Sequence, residues 1–330
     1  MIISRTPFRI SLVGGGSDLP SFYRHHPGAV VTTSIDKYVY ITLNKNFDSG
    51  VRLKYSETEE VDSFSEIKHD LIRESLRLVG IHNKIEITSL ADIPVKGTGL
   101  GSSSSYLVGL LNAMKAYKDE PVTLEQLAKD SYFIERDKLN RPVGKQDHYI
   151  ASYGGLNLIS FLSDGSVKVE PIVMPNDTHK KLQENLHLFY TGITRNTAKI
   201  LEIQDRNFET NETIRSGMRR MVTLTNLMVE GLRKGYISNI GEMLHENWEI
   251  KKTMAHNISN PQIDSWYEVA RKAGAEGGKI LGAGGGGFLL LYIPEDSYES
   301  VVHALSPLEE LKFNFEPRGS VVFNMKNLGN

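Results

Sequence analysis

The sequence predicts an α+β protein built in two parts, and three observations carry that expectation. Helical and strand patterns are mixed in both halves, composition shifts across residues 175–195, and three glycine-rich stretches punctuate the chain. Apolar residues make up 40% of the 330 positions and charged residues 24%, ordinary values for a globular chain of one large or two average domains. The formal charge of −2 gives no sign of a nucleic-acid-binding surface. Cysteine is absent, which excludes disulfides, thiolate catalysis and cysteine-based metal centres. Arg5, Pro7 and Arg9 interrupt the only apolar stretch near the N-terminus, so it does not read as a signal peptide. No apolar run reaches membrane-spanning length. A cytoplasmic, reducing location is expected.

Met1 to Val13 alternates enough to be a strand, and it runs into Gly14-Gly15-Gly16. Val30 to Thr33 and Tyr38 to Leu43 are β-branched and aromatic-rich, as strands are, and Val51 to Tyr55 is expected to add another. Ile67, Leu71, Ile72, Leu76 and Val79 fall at helical spacing before a stop at Gly80. Lys84 to Thr88 returns to strand, and Tyr106 to Tyr117 is an apolar helix. Thr123 to Gln126 has the form of a capping box, opening a helix that reaches Glu135. Two strands flank an Asp164-Gly165 turn, and Leu186 to Tyr190 is another strand. From Asn196 to Lys252 the pattern gives two long polar helices broken near Gly235, then a helix over Pro261 to Ala273. A last glycine stretch, a strand and a helix–strand pair finish the chain.

Pro94-Val95-Lys96-Gly97-Thr98-Gly99-Leu100-Gly101-Ser102-Ser103-Ser104-Ser105 lies between a strand and a helix. Three glycines remove the Cβ atoms that keep a ligand from the backbone. The serines sit where unpaired amides of the first helical turn point outward, a place that attracts anions. A plain strand-to-helix turn would use the same residues, and the Walker pattern is absent because no Gly-Lys-Ser/Thr closes the stretch. Residues 5–20 (Arg-Thr-Pro-Phe-Arg-Ile-Ser-Leu-Val-Gly-Gly-Gly-Ser-Asp-Leu-Pro) and 279–290 (Lys-Ile-Leu-Gly-Ala-Gly-Gly-Gly-Gly-Phe-Leu-Leu) are the other two stretches.

In these three motifs, in their order and spacing, the chain resembles the small-molecule kinases grouped as galactokinase, homoserine kinase, mevalonate kinase and phosphomevalonate kinase (the GHMP kinases), over nearly its whole length. The resemblance implies a two-domain fold: an N-terminal, ribosomal-protein-S5-like α/β domain over residues 1–178 and a ferredoxin-like C-terminal domain over 179–330. The active-site cleft would lie between them. It also implies ATP and Mg2+, with no membrane or nucleic-acid partner; a homodimer is left open.

Phosphoryl transfer needs a cradle for the triphosphate, a divalent ion, and a group that aims the acceptor hydroxyl. By resemblance, Pro94, Gly97, Gly99, Leu100, Gly101, Ser102, Ser103 and Ser104 form the cradle, and Ser103 with Glu135 would contact the metal. Asp147, within Gly144-Lys145-Gln146-Asp147-His148-Tyr149, matches the family's active-site aspartate and is expected as base or orienting group. Arg9 and Lys145 are its expected cationic partners. Each has a bland counterpart: a helix-capping aspartate or serine, a solvated glutamate, a structural arginine, an exposed lysine.

Gly15, Gly16, Ser17 and Asp18 are expected at the sugar, with Gly284 and Gly285 closing over it. The version Gly-Gly-Gly-Ser-Asp resembles the branch of heptose-phosphate kinases and L-fucokinases. An acceptor already bearing phosphate needs a cationic anchor, for which Arg195 is the candidate. The expected reaction is phosphorylation of the anomeric hydroxyl of a heptose 7-phosphate. His148 stands where that branch is expected to carry Gln. Kinase action on a free sugar such as L-fucose, and a catalytically silent regulator, are the alternatives. A dinucleotide-binding oxidoreductase fails because Phe288 to Ile293, after the last glycines, reads as a strand and not a helix.

Overall fold

The computed structural model describes residues 1–94, 97–194 and 197–325. Two sheets organise the chain. The first contains β1 (Ile2–Val13), β2 (Gly28–Lys45), β3 (Val51–Lys54), β4 (Thr58–Val61), β5 (Ile85–Ala91), β6 (Leu156–Phe161) and β7 (Val167–Pro171). The second contains β8 (Leu186–Tyr190), β9 (Gly277–Ile280), β10 (Phe288–Tyr292) and β11 (Glu309–Leu311), and the final strand β12 (Val321–Asn324) returns to the first.

The eleven α-helices of the described residues are α1 (Pro20–Tyr23), α2 (Asp70–Val79), α3 (Ser102–Tyr117), α4 (Leu124–Tyr132), α5 (Gln146–Tyr153), α6 (Asn176–Glu184), α7 (Thr197–Thr210), α8 (Glu212–Arg233), α9 (Ile240–Lys252), α10 (Pro261–Lys272) and α11 (Tyr298–Ala304). Where two long helices were expected before Lys252, there are three. Asn211 accepts the Ile214 N–H through its side chain at 3.2 Å and so starts a new helix at a point where the periodicity alone runs on. None of the helices is long and apolar enough to cross a membrane, among the described residues.

The second sheet runs β11-β8-β10-β9, all antiparallel, with helices between β8 and β9 and between β10 and β11. That is the strand–helix–strand–strand–helix–strand order of a ferredoxin-like unit. A single cut at 178/179 does not separate the two sheets, because β12 pairs antiparallel with residues 2–5 of β1. The apolar core also crosses the cut: Leu188, Met228 and Leu281 belong to one buried cluster with Ile10, Leu107 and Leu111.

β1 begins in alternation and becomes buried on both faces toward its end. The cause is visible in its neighbours, since α3 packs on one side of β1 and β2 while α8 and α9 reach them from the second half. The loop after β1 therefore opens where the two halves meet. α3 carries apolar residues on nearly every face and runs through the core. Register shifts at Pro7/Phe8 and Ser11/Val13 bracket Arg9, an irregularity of the kind that re-aims a side chain. β12 covers only residues 2–5 of β1, so the Arg9 N–H is left to the Leu100 carbonyl, 3.1 Å away in the loop before α3.

Candidate active site

The loop Gly97–Gly101 turns on three glycines in the left-handed region, with φ of 75° at Gly97, 77° at Gly99 and 74° at Gly101. Gly101 is itself the residue at which α3 starts, with no side chain capping it. The serines that follow are thus not needed as caps, and their hydroxyls go elsewhere. Ser102 bonds Thr98 at 3.0 Å, Ser104 donates to Glu135 Oε2 at 3.0 Å, and Ser105 donates to the Pro7 carbonyl at 2.9 Å. Ser103 alone of the four is partly exposed, and it favours the ionised form of Glu135. Pro94 lies exposed just before the loop, and Leu100 is fully buried beneath it.

The second half braces this loop. A Cβ at Gly287 would lie 2.2 Å from the Thr98 carbonyl oxygen, and one at Gly99 would lie 2.4 Å from that of Leu281. The Phe288 N–H also donates to Thr98 at 3.1 Å. Gly284 and Gly285, expected at the acceptor, are held against Ile258 instead. The Gly285 N–H donates to the Ile258 carbonyl at 2.6 Å, and a Cβ at Gly284 would be 2.8 Å from the Ile258 side chain.

Glu135 occupies a short π-helical segment, residues 133–138, that continues α4, an irregularity frequent at functional sites. It is 1% exposed. Burial pushes its carboxyl up, but His148 (Nε2 at 2.9 Å), Ser103 and the charge of Arg141 outweigh that and hold it below its ordinary value. The carboxylate is ionised at neutral pH, and its Oε1 has only a long contact, 3.5 Å, to Arg141. A hydroxyl beside an ionised carboxylate fits magnesium, which takes one or two protein oxygens and completes its shell with phosphates and water. His148, unexpected at its place in the sequence, is the group that orients Glu135.

Arg9 and Asp147 form the centre. Nε of Arg9 donates to Oδ1 of Asp147 at 2.8 Å and Nη2 to Oδ2 at 2.7 Å, while Nη1 donates to the Gly99 carbonyl at 2.6 Å. Arg9 is 3% exposed at its side chain and Asp147 25%, so the carboxylate is the member that faces open space. Burial raises the Asp147 carboxyl, but the Arg9 charge, its hydrogen bonds and the Gln146 amide overcome that and hold it below the usual range. A Cβ at Gly101 would be 3.2 Å from Asp147 Oδ2. The carboxylate therefore sits against the start of α3, where anions are drawn.

Asp18 faces the same region and is 7% exposed. The N–H groups of Gly16 and Gln146 donate to its two oxygens at 3.1 and 3.0 Å. A Cβ on Gly144 would lie 1.9 Å from the carboxylate, which explains the glycine there. Burial is the main reason its carboxyl is raised, with a smaller push from Asp147 against the backbone bonds. Ser17, expected at the sugar, is turned inward: its hydroxyl donates to the Ala29 carbonyl and accepts the Ala29 N–H, both at 3.0 Å.

Lys145 also departs from expectation. Its ammonium donates to the Gly165 carbonyl and lies 4.8 Å from the centre of the Tyr23 ring and 5.6 Å from that of Tyr132. It stands two positions from Asp147 at the start of α5, and residues two apart on a helix do not share a face. The expected phosphate anchor, Arg195, lies outside the described residues.

What the sequence reading missed is the lysine that does reach the centre, Lys251 of α9. It donates to the Gly15 carbonyl at 3.1 Å, and Asn247, one helical turn earlier, accepts the Gly14 N–H at 3.1 Å. The spacing of Asn247 and Lys251 marks a common helix face, but nothing local says which loop that face meets.

Two family descriptions match the chain: GHMP kinases N terminal domain over residues 67–155, and GHMP kinases C terminal over 228–307. The chain is 28% identical over 319 residues to D-glycero-alpha-D-manno-heptose 7-phosphate kinase of Campylobacter jejuni, covering 92% of this chain and 93% of that one. It is 25% identical to the galactokinase of Pyrococcus furiosus, with 97% of each covered. A solved structure described as a D-glycero-D-manno-heptose 1-phosphate kinase from Bacteroides thetaiotaomicron superposes with a TM-score of 0.80 at 26% identity, covering 98% of this chain and 99% of that chain.

Proposed function

Given that the chain belongs to the GHMP kinase family, we propose that it transfers the γ-phosphoryl of ATP to the anomeric hydroxyl of a D-glycero-D-manno-heptose 7-phosphate, giving the 1,7-bisphosphate. The observation that carries this is the Arg9–Asp147 pair set against the N-terminus of α3. A triphosphate resting on the amides of Gly97–Ser104 would place its γ-phosphoryl beside that pair. The heptose part of the reading rests on the two heptose-kinase relatives and on the Gly14–Asp18 loop.

Asp147 is ionised but held below its ordinary value by Arg9, so it is a weak base. It orients the acceptor hydroxyl and accepts the proton as the new O–P bond forms, when that hydroxyl has become acidic. Arg9 stays beside the charge that moves with the phosphoryl group. Asp18 accepts hydrogen bonds from sugar hydroxyls, and Gln146 links it to Asp147. Magnesium, when bound at Ser103 and Glu135, neutralises charge on the phosphates. The setting we assign to this chemistry is the cytoplasm.

The two relatives are named for different phosphates, position 7 in one and position 1 in the other. The test is the phosphorus NMR spectrum of the product formed from ATP, Mg2+ and the heptose 7-phosphate. A new resonance coupled to the anomeric proton is expected. Phosphate arriving at any other carbon would contradict the reading.

A further inference from the structure

We propose that Lys251 and the side-chain-free space over Gly15 form a subsite for a hydroxyl of the acceptor sugar, so that the second half of the chain supplies a substrate-binding cation to the first. The inference rests on the sugar-kinase reading and deepens it.

Gly15 is the key to the argument. Gly14 and Gly16 lie in the left-handed region at φ 84° and 106°, but Gly15 is not among the positive-φ glycines. Its backbone would accept any residue, so what the glycine provides is room. A Cβ placed there would be 3.2 Å from Ser11 Oγ, 3.9 Å from Gln146 Oε1 and 4.0 Å from Lys251 Nζ. The nearest groups around this space are thus a hydroxyl, an amide oxygen and an ammonium. Ser11 and Gln146 are already joined, Oγ to Oε1 at 2.8 Å, which fixes the wall. Such a lining suits a polyol hydroxyl, which accepts from the ammonium and donates to the amide oxygen.

Lys251 needs such a partner. It is 3% exposed and has three N–H donors, of which one is used, on the Gly15 carbonyl at 3.1 Å. An ammonium taken out of water is costly unless its donors and its charge are met. The charged groups around it are Asp18, Arg9 and Asp147, together with Lys279, which is 1% exposed and donates to the Leu12 carbonyl at 3.1 Å. Asp147 is clasped by Arg9, and both oxygens of Asp18 accept backbone N–H groups. Burial brings the Lys251 ammonium down to about 8, with Asp18 and Asp147 favouring the charge and Arg9 opposing it. Lys279 is likewise held well below its ordinary value, by burial first and then by the charges of Lys251 and Arg9. The nucleotide loop lies beyond the Arg9–Asp147 pair, whereas Gly15 belongs to the loop of Asp18, so the ligand facing Lys251 is the acceptor.

The experiment compares steady-state kinetics of wild type, Lys251→Met and Gly15→Ala with ATP, Mg2+ and a panel of sugars and sugar phosphates, alongside thermal melts and ADP titration. Lys251→Met should raise KM for the acceptor about 10- to 100-fold, the loss of one charged hydrogen bond, with ADP affinity within about twofold. Gly15→Ala should fill the space and give the same split, and it decides the matter if Lys251→Met does not fold. In the wild type, acceptor KM should rise as pH passes about 8, where the ammonium deprotonates. A folded variant with unchanged acceptor KM, or one losing nucleotide and acceptor together, would overturn the proposal. A wild type active on a different sugar would discard the heptose reading alone, and the variants are then compared on that sugar. A wild type that phosphorylates none overturns both.

Discussion

Arg9 clasps both carboxylate oxygens of Asp147, at 2.8 and 2.7 Å, and uses its third nitrogen to hold the Gly99 carbonyl at 2.6 Å. One buried guanidinium thereby ties the Asp147 carboxylate to the Gly97–Gly101 loop. Replacing Asp147 with Asn keeps the shape and removes the charge. Turnover should fall about 10²- to 10⁴-fold, the range for a general acid–base group, while ATP affinity stays within about twofold. Single-turnover rates with ATP titrations check this, and a near-normal rate would remove Asp147 from the chemistry.

Ser104 donates to Glu135 and Ser103 favours its ionised form, but only Ser103 is partly exposed. Ser103→Ala and Glu135→Gln should raise the magnesium concentration for half-maximal activity about tenfold or more. Ser104→Ala should lower thermal stability with little change in magnesium dependence. Magnesium titrations at saturating ATP, paired with melting curves, separate the two outcomes.

Gly80 and Gly287 separate backbone strain from lost packing. Both have positive φ, 70° and 81°, but nothing lies within 4 Å of a Cβ at Gly80, while one at Gly287 meets the Thr98 oxygen at 2.2 Å. Gly80→Ala should cost about 1–2 kcal/mol from the left-handed conformation alone, with KM for ATP unchanged. Gly287→Ala should cost more and also raise KM for ATP, since it displaces the loop. Denaturant titration and ATP kinetics on both variants make the comparison.

Part of this local arrangement was legible in the sequence and part was not, for physical reasons. The Gly97–Ser104 loop is announced by local spacing of glycine and serine between a strand and a helix, and Arg9 and Asp147 by motifs. Lys145 was misplaced because adjacency in sequence says little about direction at a helix start. Lys251 was invisible because its contact with Gly15 spans 236 positions and depends on how α9 docks. The inward turn of Ser17 was not legible because its partner, Ala29, lies 12 positions on, beyond α1, and no local pattern fixes that return. The break between α7 and α8 shows the opposite lesson: Asn211 was a readable cap that helical periodicity had masked.

Glu310 offers a pH test remote from the site. Burial pushes its carboxyl up, but bonds from His187, Lys312 and Tyr298, each at 2.8 Å, bring it down to about 2. A depressed carboxyl stabilises the fold fully above its unfolded value near 4.5, and that stability is lost as pH falls toward 2. Allowing for solvent screening of a partly exposed group, Glu310→Gln should cost about 1–2 kcal/mol at pH 7. The gap to wild type should close as pH drops to about 2 to 3, as urea unfolding across pH would show.

The central claim is that this site phosphorylates a sugar already bearing a phosphate. ADP release with ATP and Mg2+, measured across heptose 7-phosphate, unphosphorylated heptose, L-fucose, galactose and mevalonate, tests it most directly. Turnover on heptose 7-phosphate at least about 100-fold above the others, the discrimination expected of a charged anchor, is the predicted result. Equal or faster turnover on a free sugar would contradict it.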